Sequence, residues 1–192
     1  AARRRARMER SGGTQTSRHL TFMTLKLGVV MDPIGSIAFP KDSTLAMLLE
    51  AQARSWKIYY MEQSDLFLRD GEAHARTRRL KVAADPKHWF EFGAEATAPL
   101  TALDAILMRK DPPFDMQYIY TTTLLERAEA RGVLVVNKPQ SLRDCNEKLF
   151  TAWFPNLTPP TLVTRSAARL RDFLAEHGDV ILKPLDAMGG AS

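Results

Sequence analysis

Leu25-Lys26-Leu27-Gly28-Val29-Val30-Met31 decides the fold. The run is short and almost wholly apolar, the pattern of a parallel strand covered on both faces. Pro33 and Gly35 break it. Similar runs recur at Ile58-Tyr59-Tyr60-Met61, Ala105-Ile106-Leu107-Met108 and Val133-Leu134-Val135-Val136. Helical patterns fall between them. Asp42-Ser43 is placed to cap a helix over 44–54, with Leu45, Leu48 and Leu49 on one face. Met116–Arg131 carries Ile119, Leu124, Leu125 and Ala128 and ends at Gly132. This alternation predicts an α/β fold with a Rossmann-like, doubly wound parallel sheet over 23–145. One interruption is expected. Leu66–Leu68 and Ala73–Val82 flank Arg69-Asp70-Gly71-Glu72, and Asp-Gly is a hairpin signal.

A second unit is expected over 146–192. Short helices at 141–143 and 146–154 lead to Pro155, Pro159 and Pro160. Beyond them the pattern predicts a strand at Leu162-Val163-Thr164, a helix from a Ser166 cap to Glu176, and a strand at Val180-Ile181-Leu182-Lys183. The residues run out in a glycine-bearing loop, which reads as the front of a longer protein.

The net charge of +5 is confined to one segment. Residues 1–22 hold Arg3, Arg4, Arg5, Arg7, Arg10 and Arg18 against Glu9; the other 170 residues carry 21 basic and 21 acidic side chains. A nucleic-acid-binding body needs a basic face, so no nucleic-acid partner is expected. Residues 1–22 read as a disordered basic tail upstream of a start at Met23; a transit peptide and a true basic arm are the other readings. No apolar window reaches the ~18 residues of a membrane span. The one cysteine, Cys145, rules out a disulfide framework and suits a reducing compartment, so a cytoplasmic location is expected.

In an open α/β sheet, ligands bind beyond the carboxyl ends of the strands. Those ends carry Met31-Asp32-Pro33, Met108-Arg109-Lys110-Asp111-Pro112-Pro113 and Asn137-Lys138-Pro139. Charged groups beside prolines suit a rigidly held polar ligand, and equally ordinary surface ion pairs. Lys183 follows three apolar residues, which predicts a partly buried stem and a need for an anionic partner. Lys148 stands at a helix start. Met188-Gly189-Gly190-Ala191-Ser192 can turn backbone N–H groups toward an anion, but neither a Walker loop nor a dinucleotide fingerprint is present. His19, His74, His88 and His177 lack ligand spacing. Cys145 reads as a small packed thiol near a helix start.

Several segments together resemble the bacterial glutathione synthetase family. They are Lys26-Leu27-Gly28-Val29-Val30-Met31-Asp32-Pro33-Ile34, Lys41-Asp42-Ser43 with Met47–Gln52, and Leu107–Asp115. Val136–Asp144, Asn146-Glu147-Lys148-Leu149-Phe150 and Lys183-Pro184-Leu185-Asp186 complete the match, which covers 25–192. The resemblance implies an ATP-grasp architecture, in which the Rossmann-like domain is followed by the start of an α+β lid. It implies ATP and Mg2+ as cofactors, γ-glutamylcysteine and glycine as substrates, and ligation through an acyl phosphate. It also implies a homo-oligomer at full length.

By the same resemblance Lys148 and Lys183 contact ATP. The loop from Lys183 onward, with Asp186, Gly189 and Gly190, lies over the phosphates. Ala187 stands where the family pattern has glycine. Arg109 is expected to hold a substrate carboxylate, because its guanidinium offers a planar fork. Asp32 and Asp111 would orient that arginine or the peptide amine. No metal ligand is expected in this chain: the magnesium carboxylates and the catalytic residues are expected beyond Ser192, leaving the piece inactive alone. Another ATP-grasp ligase, or a non-catalytic nucleotide-binding module, is the alternative.

Overall fold

The computed structural model describes residues 24–186. The tail expected over 1–22, Met23, and the 187–192 part of the glycine loop lie outside the described residues.

A seven-stranded sheet forms the body. Its strands are β1 (Lys26–Met31), β2 (Lys57–Met61), β3 (Leu66–Arg69), β4 (Glu72–Val82), β5 (Phe90–Pro99), β6 (Ala105–Arg109) and β7 (Leu134–Val136). β1 lies between β2 and β6, parallel to both, and β7 adds parallel to β6. The parallel centre is as expected, and the expected hairpin turns the rest of the sheet antiparallel, so the sheet as a whole is mixed. β4 runs antiparallel to β2, β3 and β5. β5 was not foreseen, because Gly93, three alanines and Pro99 dilute its apolar alternation.

The fold is doubly wound about β1. Leu27, Val29 and Met31 point to one face and pack with Leu45, Leu48 and Ala51 of helix α1 (Ser43–Ala53). Val30 points to the other face, into the cluster holding Leu125 and Ala128 of helix α2 (Met116–Glu129). The cap of α1 is as expected: the Asp42 carboxylate accepts from the Leu45 N–H at 2.6 Å. Asp115 does the same for α2 at the Tyr118 N–H, at 2.8 Å. The Asp70-Gly71 turn joins β3 to β4 with φ of 50° and 75°, the positive pair a tight hairpin turn requires.

Helix α3 (Pro139–Asp144) and helix α4 (Ala167–His177) follow. The helix expected over 146–154 is only a short 3₁₀ turn at Phe150–Trp153. The strands expected at 162–164 and 180–183 are absent, because neither segment finds a ladder partner among the described residues. Ile181 and Leu182 are consequently 84% and 68% exposed. No helix among the described residues is long and apolar enough to cross a membrane.

Candidate functional site

The carboxyl ends of β1 and β6 open into a cleft of about 540 Å³, lined by Asp32, Lys41, Asp42, Ser43, Thr44, Arg109 and Asp111 among others. The parallel register sets Met31 beside Arg109, so the residues that follow each strand meet. Lys110 Nζ lies 2.9 Å from Asp32 Oδ1. The Asp111 N–H donates to Asp32 Oδ2 at 2.9 Å. Arg109 turns the other way: its Nε donates to Thr44 Oγ1 at 3.0 Å and its Nη2 to Ser43 Oγ at 2.8 Å. No ion pair joins Arg109 to a carboxylate among the described residues. The cleft therefore holds a half-buried guanidinium that is oriented by two hydroxyls and not neutralised.

Asp32, Arg109 and Asp111, singled out in the sequence, thus come together. Their contacts differ from expectation in one respect. Asp32 orients Lys110 and the Asp111 backbone, and the hydroxyls of Ser43 and Thr44 orient Arg109. These hydroxyls were missed as site groups because Asp42-Ser43 had been read only as a cap. The usable signal was their position at the start of the first α-helix after β1.

A second cleft, about 560 Å³, lies between α2, α3 and the last described residues, with Phe114, Tyr118, Lys138, Glu147, Leu185 and Asp186 in its wall. The Phe114 N–H donates to the Asp186 carbonyl at 3.2 Å. Asn146 Nδ2 donates to the Leu185 carbonyl at 2.8 Å. Lys148 Nζ lies 3.0 Å from Glu147 Oε1 and 3.5 Å from the Leu185 carbonyl. Lys148 and Asp186 are therefore neighbours. The hydrogen bond from Lys148, with its charge, holds the Glu147 carboxyl below the usual glutamate range. Burial, then the Glu147 charge, push the Tyr118 hydroxyl up, against a smaller opposing effect of Arg109.

Lys183 departs from expectation. It is exposed rather than partly buried, since its strand is not formed. Cys145 is exposed too, and caps the carboxyl end of α3 rather than standing at a helix start. Gly189 and Gly190 lie outside the described residues. Among the described residues no group of three or more His, Cys, Asp or Glu is gathered.

Residues 25–143 match the family model for the prokaryotic glutathione synthetase N-terminal domain, and 147–192 that for the prokaryotic glutathione synthetase ATP-grasp domain. Glutathione synthetase of Photorhabdus laumondii is 67% identical over 168 residues, covering 88% of this chain and 53% of that protein. Those of Yersinia pestis and Pseudomonas syringae pv. tomato are each 66% identical, over 168 and 170 residues, with the same coverage of 88% and 53%. The chain spans about half the length of the curated relatives it matches. The parallel core around β1, the cleft at its carboxyl end and these matches along nearly the whole chain agree: the chain belongs to the prokaryotic glutathione synthetase family.

Proposed function

We propose that this chain is the substrate-facing front of an ATP-dependent ligase that joins glycine to γ-glutamylcysteine. The observation that carries the reading is Arg109. A guanidinium with no carboxylate partner among the described residues, yet held by Ser43 and Thr44, is prepared for an anionic group on a ligand. γ-Glutamylcysteine brings two carboxylates. Asp32 and Asp111 sit alongside, where they suit the substrate amine.

The second cleft fits the nucleotide. Lys148 carries a cation beside Leu185 and Asp186, which lead into the glycine-bearing 187–192 segment. Bound ATP supplies the phosphoryl group that activates the substrate carboxylate. Within this chain, Lys148 would hold phosphate oxygens and Lys183, from its exposed position, would close on them. Asp186, Gly189 and Gly190 are assigned to the nucleotide by the same reading. The described residues do not fit magnesium, so no metal step is derived from them; the metal's carboxylates are assigned beyond Ser192. The reading divides the chain into a substrate domain through 145 and the start of an ATP-grasp unit from 146, in a cytoplasmic homo-oligomer.

The test uses the chain in its full-length context. Phosphate release from ATP should require both γ-glutamylcysteine and glycine. Release with D-alanine, and not with this pair, would transfer the assignment to another ATP-grasp ligase.

A further inference from the structure

The loop that carries Asp32 is gripped from behind by residues outside the cleft. Tyr60 is 1% exposed and stands beside Val29 in the β1–β2 register. Its hydroxyl lies 2.6 Å from Glu62 Oε1, 3.3 Å from the Ile34 backbone nitrogen and 3.5 Å from the Asp32 carbonyl. A phenol has one proton to give. The short contact assigns it to Glu62, and the hydroxyl oxygen accepts from the Ile34 N–H. Burial, then the hydrogen bond to Glu62, push this hydroxyl far above the usual phenol range, so it stays protonated. From the other side the Trp89 indole N–H donates to the Ile34 carbonyl at 3.0 Å. Both backbone polar groups of Ile34, two residues beyond Asp32, are therefore bonded to side chains from β2 and the stretch before β5.

The grip has its own support. Arg78 of β4 reaches Glu62 at 3.4 Å, and its guanidinium lies 4.1 Å from the centre of the Phe92 ring and 4.9 Å from that of Tyr60. The antiparallel extension thus acts as a buttress behind the 32–34 loop. On the cleft side the same loop delivers Asp32 to Lys110 and to the Asp111 N–H.

We propose that Tyr60 and Trp89 are positioning residues that set Asp32, and through it the 109–111 strand end, in the geometry that receives the substrate. The substrate half of this inference rests on the function proposed above; the positioning half does not.

The experiment makes Tyr60→Phe and Trp89→Phe in the full-length protein and follows amide hydrogen exchange at two positions. The Asp111 N–H reports the Asp32 contact. The Lys26 N–H, bonded to Asp104 Oδ2 at 2.7 Å, reports a similar contact at the opposite end of β1. Each variant should speed exchange at Asp111 by about 3- to 10-fold, the scale of one lost hydrogen bond, and leave Lys26 unchanged. Each should also raise the KM for γ-glutamylcysteine and not that for ATP. Unchanged exchange at Asp111, or equal acceleration at both amides, would overturn the positioning role. If Tyr60→Phe does not fold, Trp89→Phe, which keeps one aromatic ring and loses the pyrrole ring with its N–H donor, decides the question. Failure of the unaltered protein to ligate the two substrates would sink the proposed function, while the exchange result would still decide the positioning role.

Discussion

Asp32 and Lys110 pair across the carboxyl ends of two neighbouring parallel strands, with 2.9 Å between Nζ and Oδ1. The same carboxylate takes the Asp111 N–H. One acidic side chain thereby ties β1 to β6 where the cleft opens, and it satisfies the charge of Lys110 rather than that of Arg109.

Removing that tie has a stability cost. Asp32→Ala leaves the Lys110 ammonium, only 16% exposed, without its carboxylate. The expected loss is about 1–3 kcal/mol, read by urea unfolding. A loss within error of zero would show that Lys110 simply moves to water.

Arg109→Lys should act on binding instead. Lysine keeps the charge but loses the fork and the bonds to Ser43 and Thr44. Steady-state kinetics should show the KM for γ-glutamylcysteine rising on the order of tenfold or more, the worth of one charge-assisted hydrogen bond. The KM for ATP should stay put. Equal rises in both would place Arg109 outside the peptide site.

Glu147 carries a pH signature. Its folded pKa lies below its unfolded one because Lys148 bonds the charged form. The stabilisation is thus complete above the unfolded glutamate pKa and is lost as pH falls through the folded value. At 65% exposure it stays within the ~0–1 kcal/mol of a surface pair, so carboxyl NMR titration is the better probe. The resonance should titrate below the ordinary glutamate range and return to it in Lys148→Met; no return would assign the shift to another neighbour.

Gly28→Ala tests the sheet centre. A Cβ there would stand 2.7 Å from Leu103 Cδ1 and 2.8 Å from Met61 Cε. Both are ends of flexible side chains, so the core should yield at about 1–3 kcal/mol rather than unfold. Thermal unfolding checks it, and an unchanged midpoint would mean that the two side chains swing aside freely.

Lys183→Met should leave the melting temperature unchanged, because the side chain is exposed. Under the proposed function it should weaken ATP binding by roughly 10–150-fold. Calorimetry showing intact ATP affinity would remove Lys183 from the nucleotide site.

The parallel core was legible because β1, β2, β6 and the turns after them state their environment locally: apolar runs, then charge, with proline after β1 and β6. The Asp70-Gly71 hairpin was legible for the same reason. β5 was not, since a strand lying outermost against β4 needs little apolar character. The segments at 162–164 and 180–183 have the composition of strands, but a strand exists only against a neighbour. At the site, strand-end position put Asp32, Arg109 and Asp111 among several charged candidates, and the family resemblance singled them out. The roles of Ser43, Thr44, Tyr60 and Trp89 depend on contacts across 26 to 66 residues of chain, which no local pattern encodes.

The place of β1 also sets an order of events during synthesis. Its first neighbour, β2, follows closely, but its second, β6, begins some 78 residues after it, the separation of Lys26 and Asp104. At ribosomal rates of roughly 5–20 residues per second, the nascent strand waits a few seconds after β2 is made with one edge still open. Until β6 is made, Leu27, Val29 and Val30 lie in an apolar strand with an open edge, the kind of surface that mispairing exploits. The antiparallel β3–β4–β5 meander, built from near neighbours in the chain, closes during the same wait. The buttress behind the Asp32 loop is thus in place before the cleft it supports has its second wall.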